Sequence, residues 1–123
     1  MTRRRIALSA FLVVLAVPPM ARAASLDGQW QGTSPQARSS SGGFCSLGYF
    51  LDVSGDKLSG IVQTANGEGK FETTIKPDGS FTYTARFAAG SPEAGRGKFA
   101  GDKFTATQGT ACGELTASGV HIG

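Results

Sequence analysis

A chain of 123 residues with 18 glycines and 9% aromatic residues has room for one domain and a modest core. Its formal charge of +3 sits at the start: Arg3, Arg4, Arg5 and Arg22 are among the 12 basic residues, and all nine acids lie beyond them. Without those four arginines eight basic residues face nine acids, a balance of −1. That excludes the electrostatic footprint of a nucleic-acid or anionic-membrane binder.

The opening residues 1–23 read as a signal peptide. A basic start at Arg3-Arg4-Arg5 precedes an uncharged apolar run over 6–17, Pro18-Pro19 break it, and Ala21-Arg22-Ala23 supplies the small residues read by a signal peptidase. The run is too short to span hydrocarbon, which takes about 20 apolar residues. The arginines also fit a twin-arginine export signal, so general and twin-arginine export both stand. The expected mature chain is a single domain over 24–123, periplasmic or secreted, with no membrane anchor after cleavage.

Every glycine falls after residue 27 and punctuates the chain at short intervals. No stretch holds apolar residues at helical spacing; alternation with period two recurs instead. Strands are expected at 29–33, 45–53, 57–63, 70–76, 80–87, 96–100, 103–108 and 111–117, with 34–43 a polar loop and 118–123 a fraying tail. Inward positions include Trp30, Tyr49, Leu51, Phe71, Thr73, Phe81, Tyr83, Phe87, Phe99 and Phe104. Asn66-Gly67 and Pro77-Asp78-Gly79 mark tight turns. The pattern predicts an all-β fold: an antiparallel up-and-down β-barrel of about eight short strands, which leaves no free edge. A two-sheet β-sandwich satisfies the same alternation.

Cys45 and Cys112 are the only cysteines. In an oxidising compartment such a pair reads as a structural disulfide. As the openings of the second and eighth strands they would flank the first at one rim, bridging over it near Trp30, the expected plug of the barrel floor.

Catalytic chemistry finds little footing. His121, the only histidine, lies in the expected tail and reads as a solvated residue, without partners at metal-ligand spacing. Asp52, Asp56, Asp78 and Asp102 sit in or beside turns, where aspartate caps backbone; a glycosidase pair among them is the enzymatic alternative. Gly95-Arg96-Gly97-Lys98 lacks the strand–loop–helix setting of a phosphate site. No catalytic, metal or cofactor residues are assigned and no cofactor is expected. Trp30, Tyr49, Phe71, Phe81, Tyr83, Phe99 and Phe104 form the core or, in a wide barrel, line a pocket. Phe44 and Phe50 fall on the outward parity, where an apolar residue can mark a partner surface.

Asp27-Gly28-Gln29-Trp30 resembles the G-x-W element on the first strand of lipocalin-like barrels. A wider resemblance is to small exported glycine-rich proteobacterial proteins, usually listed as hypothetical. It runs through Asp27-Gly28-Gln29-Trp30-Gln31-Gly32, Cys45, Leu58-Ser59-Gly60, Asp78-Gly79-Ser80-Phe81, Gly97-Lys98-Phe99, Gly101-Asp102-Lys103-Phe104 and Cys112-Gly113-Glu114-Leu115. It implies a periplasmic or secreted β-barrel and no particular activity. A third likeness is to periplasmic protease inhibitors with a G-x-W start and one disulfide. The resulting expectation is a non-enzymatic exported binding or interaction protein, its partner a small apolar ligand, an envelope glycan or a protein. A protease inhibitor working through 34–43 is the alternative, and a small hydrolase a third reading.

Overall fold

The computed structural model describes residues 26–123, so the expected signal peptide lies outside the described residues. Ten strands follow in order: β1 (Gly28–Thr33), β2 (Ala37–Arg38), β3 (Phe44–Cys45), β4 (Gly48–Ser54), β5 (Lys57–Thr64), β6 (Gly67–Thr74), β7 (Ser80–Phe87), β8 (Glu93–Ala100), β9 (Lys103–Thr110) and β10 (Gly113–His121). Eight form a closed antiparallel barrel in the order β1-β10-β9-β8-β7-β6-β5-β4, while β2 and β3 make a separate two-stranded hairpin. The fold is therefore the up-and-down barrel, and the sandwich alternative falls.

Closure comes from the first and last strands. Trp30 pairs with His121 and Thr33 with Ser118, and beyond the ladder Gln29 N–H donates to the Gly123 carbonyl at 2.9 Å. The expected fraying of 118–123 is thus corrected: those residues carry the seam that shuts the barrel, and leaving them unpaired would expose two strand edges.

The cysteines also sit differently from expectation. Cys45 lies on the small hairpin, not on the second barrel strand, and Cys112 lies in the β9–β10 turn. The two are joined by a disulfide with Cα atoms 6.1 Å apart. The bridge stands at the end of the barrel where β1 finishes. Trp30 seals the other end, so the expectation that the bridge crosses near Trp30 does not hold. The turn shows why. Thr110-Ala111-Cys112-Gly113 copies Thr64-Ala65-Asn66-Gly67: in each, the threonine Oγ1 accepts from the backbone N–H two residues on at 3.0 Å and donates to the glycine carbonyl. Gly67 and Gly113 both take positive φ, 116° and 94°, which a side chain resists. Cys112 therefore holds the place of Asn66 at a hairpin tip.

Strand interiors hold a second use of glycine. Five register pairs set an inward aromatic ring opposite a glycine: Gly60 with Phe71, Gly69 with Phe87, Gly95 with Tyr83, Gly97 with Phe81 and Gly119 with Phe104. In each pair the ring lies where the glycine's Cβ would be. A ring laid flat over its neighbour's bare backbone lets large side chains share a narrow barrel, the same device that rescues glycine in designed sheets.

The rings then meet across the interior. Phe71 stacks on Tyr83 with centroids 4.1 Å apart, and Trp30 meets Phe99 edge-on at 4.8 Å. Phe104 reaches both Tyr49 and Trp30. Every residue of the expected core set is buried, and the aromatic contacts fill the middle of the barrel.

Candidate functional site

At the floor, Trp30 Nε1 donates to the Leu26 carbonyl at 2.9 Å and the indole lies 4.6 Å from the His121 ring. His121 is exposed yet fixed, with Nε2 2.9 Å from the Asp27 carbonyl. A carbonyl only accepts, so Nε2 carries the proton and is no base in this position. This corrects the reading of His121 as a free tail residue. Asp56, Asp78 and Asp102 occupy three different turns, while Asp52 points outward from β4. Asp78 accepts from the Ser80 hydroxyl and N–H at 2.6 and 2.9 Å, which hold its carboxyl below the usual range. No group of three or more metal-ligating side chains forms among the described residues.

The opposite end is open. There the β2–β3 hairpin, the β5–β6 turn and the β7–β8 loop enclose a cleft of about 850 Å³ whose lining includes Phe44, Cys45, Asn66, Phe87 and Gln108. The hairpin's root is held by Ser34 and Leu47: Ser34 N–H donates to the Leu47 carbonyl, and Leu47 N–H to Ser34 Oγ, both at 2.9 Å. Leu47 itself is buried in the core. Within the expected polar loop over 34–43 only Ala37–Arg38 is strand, and the chain turns after it with Ser39 N–H donating to the Gly43 carbonyl at 2.8 Å.

Gln108 lies at the base of this cleft. Alternation along β9 puts Phe104, Ala106 and Gln108 on the inward side, and Gln108 is the one buried polar residue among them, 2% exposed. Tyr83 Oη donates to Gln108 Oε1 at 2.7 Å, and Tyr49 is hydrogen-bonded to Tyr83 through their hydroxyls. Since Tyr83 spends its proton on Gln108, Tyr49 must donate to Tyr83. The Nε2 amide of Gln108 finds no acceptor among the described residues.

Burial pushes the ionisation of both phenols upward. These are the only tyrosines. The sign follows from linkage. Below about pH 10 both states keep the phenolic protons and the pair contributes no pH dependence. Above it the unfolded chain loses them while the folded chain keeps them, so stability falls. Each tyrosine contributes a slope of about 1.4 kcal/mol per pH unit, lost on folded-state ionisation. In an alkaline titration phenolate absorbance should therefore appear only as the barrel unfolds, both phenols together. Absorbance rising near pH 10 in folded protein would contradict this.

A second concavity lies on the outside. A groove of about 1350 Å³ runs over β1 and β4 to β8, lined by Phe50, Ile61, Lys70, Arg86 and Ile122 among others. The register puts Val120, Gln31, Phe50, Ile61, Lys70 and Arg86 in one row around the outer wall. Phe50 is 43% exposed. Phe44 stands apart at the hairpin, with the Arg38 guanidinium 4.7 Å above its ring.

No protein-family model matches this chain, and no curated protein matches it either.

Proposed function

We propose that the chain is an exported, non-enzymatic binding protein that takes a small ligand in the cleft at the open end of its barrel. Gln108 carries this reading. A buried amide with unmet donors costs free energy, on the order of 1–3 kcal/mol, unless something at the cleft accepts them. The packed interior argues against a lipocalin-like cavity and moves the expected ligand from the middle of the barrel to its mouth. The disulfide is compatible with an oxidising compartment outside the cytoplasm, and the leader and the likeness to exported glycine-rich proteins support the same address.

Native mass spectrometry of protein purified from its own envelope tests the proposal. The expected result is a small-molecule adduct that the Gln108→Leu protein holds about tenfold more weakly, the value of one lost hydrogen bond. Protein that carries no adduct, and whose cleft resonances no envelope extract moves, overturns it. A second reading rests on the outer row: Phe50 and Ile61 beside Lys70 and Arg86 suit a protein segment bearing an apolar side chain next to a carboxylate. Under that reading Phe50→Ser and Lys70→Glu abolish complex formation and Gln108→Leu does not; the reverse pattern sinks it.

A further inference from the structure

Resting on the cleft reading, we propose that the ligand is a neutral molecule presenting an N-acetyl group, and that an acetamido sugar is the class that fits. Three observations converge. The first is the direction of the hydrogen-bond relay. With Gln108 Oε1 accepting from Tyr83, and Tyr83 from Tyr49, every phenolic proton is used. Turning the amide over would make Nε2 donate to Tyr83, send the Tyr83 proton to Tyr49, and strand both the Tyr49 proton and Oε1. The relay therefore fixes Gln108 as a donor toward the cleft, and its counterpart is an acceptor such as an amide carbonyl.

The second is charge. Glu93 is the one charged side chain lining the cleft, and neither lysine nor arginine is among the lining residues. A carboxylate or phosphate bound to Gln108 would be desolvated in a cleft whose one charged lining group is the Glu93 carboxylate, while Arg38, stacked on the Phe44 ring, is not itself among the lining residues; this disfavours anions. A neutral carbonyl meets no such penalty.

The third is the character of the walls. Phe44 and Phe87 offer apolar surface, while Ser39, Ser41, Asn66 and Ser91 offer hydroxyls and an amide. An acetamido sugar has the matching parts: a carbonyl for Gln108, a methyl for the rings and hydroxyls for the serines. The volume of about 850 Å³ lies within the span of small-molecule sites, roughly 300–1,000 Å³.

The experiment is an amide NMR titration of the oxidised protein with N-acetylglucosamine, glucose and glucosamine in parallel. N-acetylglucosamine should shift the Gln108 side-chain amide pair and the backbone signals of Asn66, Ala89 and Gly109. Glucose and glucosamine, lacking the acetyl carbonyl, should bind at least about tenfold more weakly. Gln108→Glu keeps the shape but removes the donors and should lose the response. Should that variant fail to fold, Ala89→Trp obstructs the cleft from an exposed loop position and should lose it as well. Equal response to glucose overturns the N-acetyl assignment. If none of the three sugars moves a cleft signal, the sugar class is overturned; an adduct lost with Gln108→Leu in native mass spectrometry would still leave the cleft itself standing. Shifts confined to the outer row around Phe50 overturn the assignment too.

Discussion

Removing the Cys45–Cys112 bridge, by reduction or by Cys45→Ser with Cys112→Ser, is expected to lower the free energy of unfolding by about 4 kcal/mol. The bridge closes a loop of 67 positions, which contains every barrel strand from β4 to β9. Freeing that loop returns conformational entropy to the unfolded chain. The loss is a large share of the 5–15 kcal/mol typical of a domain, and it corresponds to a drop in Tm of roughly 15 to 30 °C. The effect has a local face as well. The hairpin pairs only Ala37 with Cys45 and Arg38 with Phe44, so without the bridge its tip is held only through the Ser34–Leu47 root. Hydrogen exchange should show the amides of Ala37 and Phe44 losing protection well before those of β4 or β9. Urea melts of oxidised and reduced protein measure the global term; curves that differ by less than about 1 kcal/mol would refute the loop argument.

Gly119→Ala is the second large effect, expected to destabilise by about 3 kcal/mol, the upper part of the usual overpacking range. A methyl there would run into both the Phe104 ring and the Gln31 carbonyl. The ring can turn away, but the carbonyl belongs to the β1–β10 seam that closes the barrel, so relief means parting that seam. Gly32, the register partner of Gly119, is just as crowded: its Cβ would lie 2.7 Å from the Gly119 Cα and 2.8 Å from the Phe104 ring. Gly109→Ala is the matching control. It lies on β9 with nothing near its Cβ and an ordinary φ. There the lost flexibility of the unfolded chain should stabilise by about 0.4–1 kcal/mol. Thermal melts of the two variants should move in opposite directions. Equal shifts would mean that the ring-over-glycine pairs add nothing beyond ordinary sheet propensity.

Much of the barrel was readable in the alternation of large and polar side chains. Tyr49, Leu51 and Val53 on one strand, and Phe81, Tyr83 and Ala85 on another, announce which way each strand faces. What hydropathy cannot show is an inward glycine, because it has no side chain to count. β8 therefore looked short: Gly95 and Gly97 are its inward residues, and only Phe99 carries a signal. The same blindness hid the start of β6 at Gly67. The turn at Cys112 is legible in the sequence, since Thr110-Ala111-Cys112-Gly113 repeats Thr64-Ala65-Asn66-Gly67, whereas a cysteine count reports the bond and not the turn that carries it. Gln108 carried a signal as well, as the one polar residue in phase with Phe104 and Ala106. Its meaning depends on Tyr49 and Tyr83, partners 34 residues apart in the chain, and no local pattern reports that meeting. Neither does the sequence say that six strands bring Phe50 and Ile61 into one row with Lys70 and Arg86.

The meeting of Gln29 with Gly123 at the floor has a practical side. A tether attached behind Gly123 would emerge beneath Trp30, a barrel's length from the Gln108 mouth, so a molecule anchored to a sensor chip or resin by its tail would hold that mouth toward the bulk solution. Because the first and last strands already lie side by side, a short peptide splice could join them. New ends cut in the loop between β7 and β8 would then give a rearranged chain with the same wall of strands.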